Sequence, residues 1–203
     1  MEQAPQTMQT RLSDDNEEVR LTALGDLMKP EAEPGQVVEN VAACLDHSNE
    51  TVRQLAVVVL GQVAAQGEQG KQAVPGLARA LNEAQPKPVR MLAASGLARA
   101  GPAAAPACEP LCRALTSQDK SVRSAASLAL GKIGTPAVPW LRRMLRAADP
   151  AVIVAAIEAF GLIGRSAKDA ADDLRSLRAS PDPKIQQACD AALEKIGGEP
   201  PKA

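Results

Sequence analysis

The sequence predicts an all-α solenoid, and two observations carry this prediction. A sequence motif occurs six times in the 203 residues and is most complete at residues 122–134. We call this motif the phrase. Its copies are spaced by 33, 37, 33, 30 and 33 residues and begin at Val19, Val52, Val89, Val122, Val152 and Ile185. The chain is rich in alanine and has one Phe, one Trp and no Tyr, which suits thin layers of close-packed helices better than a compact core. Repeats of this period bury their apolar faces against their neighbours.

Each copy belongs to a helix–turn–helix unit with its own end signals. In the fifth unit, an apolar first helix carries Pro139 in its first turn, where a missing N–H is harmless. Asp149 is placed to cap the second helix, with Pro150 at its first position. From Val152, apolar residues at steps of 0, 4, 7–8 and 11 make one helical stripe. The equivalent capping residues are Asn16, Asn49, Asp119 and Asp182, and the glycines expected to end helices in the left-handed conformation are Gly101, Gly134, Gly164 and Gly197.

These residues resemble a known family. The pattern Asp-x-x-Val-Arg-x-x-Ala-x-x-Ala-Leu-Gly-x-Ile-Gly, after a Pro-containing helix ending in Leu, is similar to the HEAT repeat, in the short bacterial form often called PBS-lyase HEAT-like. The resemblance covers about residues 5–197. It implies a right-handed superhelix (an armadillo-like α-solenoid) with first helices on the convex side and second helices lining a concave side. We therefore expect one solenoid domain over residues 1–197 and a disordered tail over 198–203.

The resemblance also sets the expected helices. First helices are predicted near residues 5–13, 36–45, 72–82, 104–115, 136–146 and 167–178. Second helices are predicted near residues 17–29, 50–63, 87–100, 120–133, 150–163 and 183–196.

Composition excludes several classes of protein. No run of 18 apolar residues is found, and the first residues lack the basic and apolar regions of a signal peptide, so we expect a cytoplasmic protein with no membrane contact. Cys44, Cys108 and Cys189 stand where other repeats carry Ala or Val, which indicates small core residues in a reducing compartment. Cys108 and Cys112 could pair on a soft metal, but with His47 as the only histidine we predict no metal site and no cofactor.

Four repeats carry an arginine directly after the first residue of the phrase, and we expect these arginines to have a structural role. They form one register, Arg20, Arg53, Arg90 and Arg123. The family resemblance implies a ladder in which each arginine bonds an Asp or Asn of a neighbouring repeat. The register ends at Ile153 and Gln186, so the last two units are expected to join differently.

The second helices predict a groove on the concave side. Positions two and nine after the first residue of the phrase are expected to face away from the core. None of these positions is basic, the large apolar residues there are Leu21, Met28, Met91 and Val154, and the others include Ala98, Gly61, Gly131 and Gly161. We expect a weakly apolar groove suited to a helix or peptide from a partner, with simple helix packing as the alternative. Glycines in these helices indicate close helix approach or room for a ligand backbone.

Charge is segregated along the chain although the net charge is −1. Residues 1–70 carry 12 acidic and 4 basic side chains, whereas residues 71–147 carry 3 acidic and 12 basic ones. We call residues 71–147 the basic belt, and its excess of basic side chains points to an anionic partner. Within it, Arg79, Arg113 and Arg143 should form a row on the convex side with Trp140 beside Arg143, a composition found in binding hot spots. A merely solvated surface is the alternative.

Three classes of function remain. The prediction is a non-enzymatic protein-interaction scaffold that takes a helix or peptide in the groove and an acidic surface on the belt. Nucleic-acid binding through the belt is an alternative, although stacking aromatics are missing apart from Trp140. A subunit like the phycobilin lyases is the other. No catalytic triad, Walker loop or dinucleotide motif is found, so we predict no enzyme. Head-to-tail self-association of the acidic and basic parts stays open.

Overall fold

The computed structural model describes residues 6–29 and 32–197, and in these ranges it contains helices and no strand. The first helices of six successive repeats are α1 (Met8–Leu12), α3 (Val38–Ala43), α5 (Val74–Arg79), α7 (Cys108–Ala114), α9 (Val138–Met144) and α11 (Ala171–Leu177). The second helices are α2 (Glu17–Leu27), α4 (Glu50–Ala64), α6 (Lys87–Ala100), α8 (Lys120–Ile133), α10 (Pro150–Ile163) and α12 (Pro183–Ile196).

The predicted solenoid is confirmed, and its second helices lie within two residues of the expected bounds. The first helices are shorter than predicted. The segment before each of α3, α5, α7, α9 and α11 forms a 3₁₀ helix, as in Gly101–Ala107. These segments are rich in Gly, Ala and Pro, and short 3₁₀ turns are a common way to enter an α-helix. The predicted ends at residues 1–5 and 198–203 lie outside the described residues.

Side chains cap five of the second helices as the sequence predicts. Asn49 accepts hydrogen bonds from the backbone N–H groups of Thr51 and Val52, at 2.6 and 3.4 Å. Asn16, Asp119, Asp149 and Asp182 cap α2, α8, α10 and α12 in the same way. Helix α6 differs because its N-cap is Pro86, which offers no side-chain acceptor. The third repeat therefore enters its second helix without the cap that the others use.

Glycines end the second helices of repeats 3 to 6, but not all in the expected conformation. Gly197 has φ 85° and ψ 20°, the predicted left-handed geometry. Gly101, Gly134 and Gly164 also have positive φ, but their ψ values are −134°, −141° and −140°. This region of backbone space is open essentially to glycine alone. It turns the chain directly into the 3₁₀ segment that follows.

The core is a continuous layer between first and second helices, and each second helix packs on those before and after it. Small residues make this contact close. A Cβ added to Gly61 on α4 would lie 3.3 Å from the Cα of Gly96 on α6. A Cβ added to Gly131 on α8 would lie 2.4 Å from the Cβ of Leu162 on α10. The glycines thus serve helix–helix approach, one of the two roles expected of them.

The register of arginines does not form the expected ladder between repeats. Arg123 donates through Nη1 to the backbone oxygens of Ser117 and Gln118 at 2.7 and 3.0 Å, within its own repeat. Arg20 and Arg53 bond the carbonyls of their own turns in the same way, and Gln186 takes this role in repeat 6. A charge-assisted bond to the turn carbonyls fixes the turn. Arg90 is the exception, since its side chain makes no hydrogen bond to the described residues.

One segment, Pro150–Leu177, is long and apolar enough by length and composition to cross a membrane. In the structure it is not one rod, because Gly164, with φ 66°, separates α10 from a 3₁₀ segment and α11. Helix α10 alone has 14 residues, or about 21 Å, against the roughly 30 Å of a bilayer core. Phe160 and its neighbours are buried against adjacent repeats. The apolar character of α10 is therefore that of a core helix.

Replacement of Leu130 by Asp should destabilise the solenoid. Leu130 is fully buried in α8. An unpaired carboxylate at this position should lower the free energy of unfolding by about 3–5 kcal/mol or unfold the repeat locally. Leu128→Asp on the same helix is the matched control, because Leu128 is 42% exposed. Urea unfolding followed by circular dichroism should separate the two, and equal midpoints would show that the register of α8 is wrong.

Two glycine substitutions should change stability in opposite directions. Gly131→Ala places a Cβ 2.4 Å from the Cβ of Leu162, so α8 and α10 must move apart, and the loss should exceed the gain of about 1 kcal/mol from helix propensity. Gly25→Ala in α2 meets nothing within 4 Å and should stabilise by up to about 1 kcal/mol. Thermal melting of both variants tests this. A stabilised Gly131→Ala protein would contradict the close packing of α8 on α10.

Candidate binding surfaces

A large opening on the described surface is a groove that runs across the second helices of repeats 4, 5 and 6. We call it the concave groove; its volume is about 1000 Å³. Helices α8, α10 and α12 form its floor, and small residues such as Ala151, Ala188 and Ala191 keep that floor low. Val154, Glu158 and Leu162 rise from α10 at its centre. The groove is therefore wide enough for a segment of chain laid across three helices.

The lining of the groove is more polar than the sequence predicts, because one of the two positions expected to face it, the ninth, is off by one residue. The position nine after the first residue of the phrase holds Gly61, Gly131 and Gly161, and all three are buried beneath the next repeat. The position ten after it is the exposed one, because a step of one residue turns a helix by about 100°. In five of the repeats it carries Lys29, Arg99, Lys132, Leu162 and Lys195. The open face of the second helices is thus partly basic.

The four residues predicted to line the groove do not meet at one site. Val154 lines the concave groove. Leu21 and Met91 are half-buried against the core in the corresponding register of α2 and α6. Met28 is exposed at the end of α2. Leu162, 48% exposed, is the largest apolar side chain that the structure adds to the groove, and it was missed because only positions two and nine were expected to face away from the core.

The predicted convex row is exposed, but its members have different surroundings. The guanidinium carbon of Arg143 lies 5.0 Å from the ring centroid of Trp140, a cation–π contact that keeps the indole half-buried against the core. Arg113 pairs with Glu109 of its own helix at 3.3 Å. Arg79 reaches back to repeat 2, where it donates to the carbonyl of Ala42 and lies 3.5 Å from Asp46. Arg79 therefore also joins two repeats.

A second opening brings together two of these arginines and one from the structural register. It is a cleft of about 520 Å³ between repeats 3 and 4, lined by Arg79, Arg90 and Arg113. Asn82, Glu83 and Thr116 complete its polar lining. We call it the arginine cleft. Sequence spacing alone could not place Arg90 there, because its equivalents in other repeats bond their own turns.

The four cysteines are free, buried thiols. Burial raises the pKa of Cys108 and of Cys189 to about 11 and that of Cys112 to about 12, and it also raises the pKa of Cys44. Thiolates are the reactive and metal-binding form, so these groups are neutral near pH 7. Among the residues that the structure describes, no three His, Cys, Asp or Glu side chains lie close enough to hold a metal ion.

Comparison with known proteins agrees with this architecture. The family model for HEAT repeats matches residues 5–98 and 74–153. No curated protein sequence matches the chain. An engineered protein of known structure is 24% identical over 94% of this chain and 95% of its own, with a TM-score of 0.58.

Two natural structures show the same fold. The complex of CpcE and CpcF of phycocyanin lyase from Nostoc sp. PCC7120 matches with 26% identity and a TM-score of 0.54, over 85% of this chain and 68% of that chain. An archaeal HEAT-like repeats protein from Thermococcus onnurineus NA1 matches with 15% identity and a TM-score of 0.58, over 98% of this chain and 84% of that chain.

The buried thiols predict a loss of stability at alkaline pH. Their folded pKa values, about 11 and 12 for Cys108 and Cys112, lie above the ordinary value of 9.0. The unfolded chain therefore loses these protons first, and the free energy of unfolding should fall as pH rises from about 9 to 11. The urea midpoint measured across this range tests it. A Cys108→Ala, Cys112→Ala variant should show a shallower decline, and an unchanged slope would assign the decline to other groups.

Proposed function

The chain belongs to the HEAT-repeat family, and from that premise we propose that it is a non-enzymatic scaffold that holds a helix or an extended segment of a partner protein in the concave groove. The observation that carries the proposal is the open volume of about 1000 Å³ across α8, α10 and α12. A segment docked there would contact three repeats at once. Its affinity would come from many modest contacts, as in other complexes where an amphipathic segment lies in a preformed groove.

The charges of the groove indicate which segment it would take. Lys120, Lys184 and Lys195 line it and form no ion pair with the described residues, whereas Asp149 and Asp182 are engaged as helix caps. Glu158 is the remaining acidic side chain. Exposed Leu162 offers an apolar contact at the centre. We therefore propose a partner segment that combines acidic side chains with one or two apolar anchors.

The state of the thiols argues against catalysis by this chain. Nucleophilic catalysis needs an activated group, and burial holds the pKa of every cysteine above its ordinary value. The one histidine, His47, uses Nδ1 to accept the backbone N–H of Asn49 at 3.1 Å and lies in a turn. Neither the cysteines nor His47 is thus arranged as a nucleophile paired with a base.

A lyase subunit is the second candidate, because the CpcE and CpcF complex of phycocyanin lyase is 26% identical to this chain. Mixing the purified chain with a phycobilin distinguishes it from the scaffold. A shift of the pigment's absorption on mixing would favour pigment handling, and an unchanged spectrum would favour the scaffold.

Nucleic-acid binding through the basic belt is less well supported. Trp140 is half-buried under Arg143, so the belt presents no free aromatic face for stacking among the described residues. A gel-shift experiment with single-stranded and double-stranded probes at two salt concentrations would detect binding driven by phosphate contacts alone.

Site-specific photo-cross-linking tests the scaffold. A photoreactive residue in place of Ala191, an exposed residue of the groove, should yield adducts with one partner in native lysate. The same residue in place of Glu39, exposed on the first helix α3, is the control and should not yield them. Mass spectrometry of the adduct should locate a segment with acidic and apolar side chains.

A charge reversal supplies the quantitative test. Lys195→Glu should weaken the captured partner by about tenfold, the loss expected when one charged contact becomes repulsive. Lys168→Glu, on an exposed lysine outside the groove, is the matched control and should leave the affinity unchanged. Equal affinity for both variants, or adducts from the Glu39 position alone, would place the partner elsewhere and overturn the proposal.

A further inference from the structure

The arginine cleft holds a buried cationic side chain with nothing to pair with. Arg90 is 9% exposed, and its Nε and Nη2 atoms are enclosed and form no hydrogen bond. This leaves Nη1 as the nitrogen through which Arg90 reaches the cleft. Arg79 and Arg113 stand at the same cleft from α5 and α7. Three arginines thus line one opening, in which Arg90 has no partner while Arg79 contacts Ala42 and Asp46 of repeat 2 and Arg113 pairs with Glu109.

The unpaired state of Arg90 has a cause in the sequence of its repeat. In other repeats the equivalent donor bonds the carbonyl six residues before it, as Arg123 does with Ser117 and Gln186 with Ser180. Leu115 and Val122 are seven residues apart in repeat 4, but Leu81 and Val89 are eight apart in repeat 3.

The additional residue lengthens the turn of repeat 3, and Pro86 replaces the capping Asp or Asn. The carbonyls that would accept from Arg90 are thereby moved out of reach. The repeat retains the arginine without its usual partner.

A buried guanidinium without a partner is costly to the free protein. Removal of such a charge from water is compensated only by hydrogen bonds or an opposite charge. In repeats 1, 2 and 4 that compensation is internal, through the turn carbonyls. In repeat 3 an anion that enters the arginine cleft is the group able to supply it.

We propose that the arginine cleft binds a phosphoryl group, with Arg90 at its base and Arg79 and Arg113 at its rim. Nε and Nη2 form the side-on edge of the guanidinium that takes two oxygens of one oxyanion. That edge is enclosed in the ligand-free chain, so the Arg90 side chain has to rotate toward the cleft when the ligand binds. The lining holds three arginines and one glutamate, and the exposed partners Asp46 and Glu109 of Arg79 and Arg113 are groups that a phosphate monoester of charge about −2 can displace more readily than a single carboxylate can.

The remaining lining suits a phosphorylated ligand rather than a bare ion. Thr116 and Asn82 offer further polar groups, and Ala78, Pro110 and Ala114 give apolar surface beside them. A volume of about 520 Å³ lies within the range of pockets for small organic ligands. Two sources carry this chemistry, namely a small phosphorylated metabolite and a phosphorylated side chain of a protein.

Calorimetric titration with inorganic phosphate at constant ionic strength tests the proposal. The wild-type chain should bind phosphate, and Arg90→Met should bind it about tenfold or more weakly, the loss expected for a charge-assisted contact. Arg113→Gln should weaken binding as well. Arg146→Gln, an exposed arginine of the same belt that does not line the cleft, is the matched control and should bind as the wild type does.

Thermal melting distinguishes a ligand site from a structural role. Arg90→Met should leave the Tm of the ligand-free chain unchanged or raise it, because it removes an unpaired buried charge. Arg123→Met should lower the Tm, because it breaks two hydrogen bonds to the turn. Phosphate should raise the Tm of the wild type and not that of Arg90→Met. If both chains rise equally, a general salt effect is the cause and the proposal fails.

A short phosphoserine peptide then separates the two sources. Binding about tenfold tighter than that of inorganic phosphate, and dependent on Arg90, assigns the phosphate to a partner protein. Binding no tighter than inorganic phosphate assigns a small phosphorylated molecule. Failure of every phosphate probe overturns the arginine cleft as a site and leaves the concave groove untouched, because its test uses other residues on another layer of the solenoid.

Discussion

The close contact between successive second helices is the constraint on which the rest of this solenoid depends. No repeat can bury its apolar stripe alone, so each needs the next one within reach of small side chains. Gly61 on α4 and Gly96 on α6 lie so close that an added Cβ on either would meet the other's Cα at 3.1 to 3.3 Å. Leu162 of α10 lies directly on Gly131 of α8. Larger residues at these points would separate the layers and open the core along its length.

The turns inside the repeats contain backbone carbonyls that the two flanking helices leave without hydrogen-bond donors. A long basic side chain just inside the second helix donates back to those carbonyls, and so ties the angle between the helices of one repeat. The bond is internal and recurs in repeats 1, 2, 4 and 6, whereas repeat 5 carries Ile153 at this position and cannot form it. Repeat 3 lengthens the turn and loses the bond. That departure from periodicity is where the structure acquires a buried, unpaired cation.

The sequence predicted the period, the caps and the second helices well, because each of these depends on local chemistry. It could not predict the partners of Arg20, Arg53 and Arg123, since a carbonyl acceptor has no signature in the side-chain sequence. The groove register failed for a geometric reason. A shift from position nine to position ten turns the side chain by about 100°, from the neighbouring helix to the solvent. Leu162 and Lys195 therefore emerged only from the packing of α8, α10 and α12.

The folded surface of residues 71–147 is less cationic than the sequence of this segment indicates. The 12 basic side chains of residues 71–147 overstate the cationic surface, because several are paired within the solenoid. Lys87 pairs with Asp119 at 2.8 Å, Arg142 with Asp173 at 2.7 Å, and Arg123 bonds its turn.

The two ion pairs join adjacent repeats, whereas the bonds of Arg123 lie within one repeat. Exposed ion pairs of this kind contribute up to about 1 kcal/mol each to the free energy of unfolding. Among the basic side chains without an ion pair to the described residues, Lys120 lines the concave groove and Arg90 lines the arginine cleft. Repeat 4 contributes to both, through α8 on one side and α7 on the other. The two openings share no lining residue, so the proposed partner segment and the proposed anion would not compete for the same side chains.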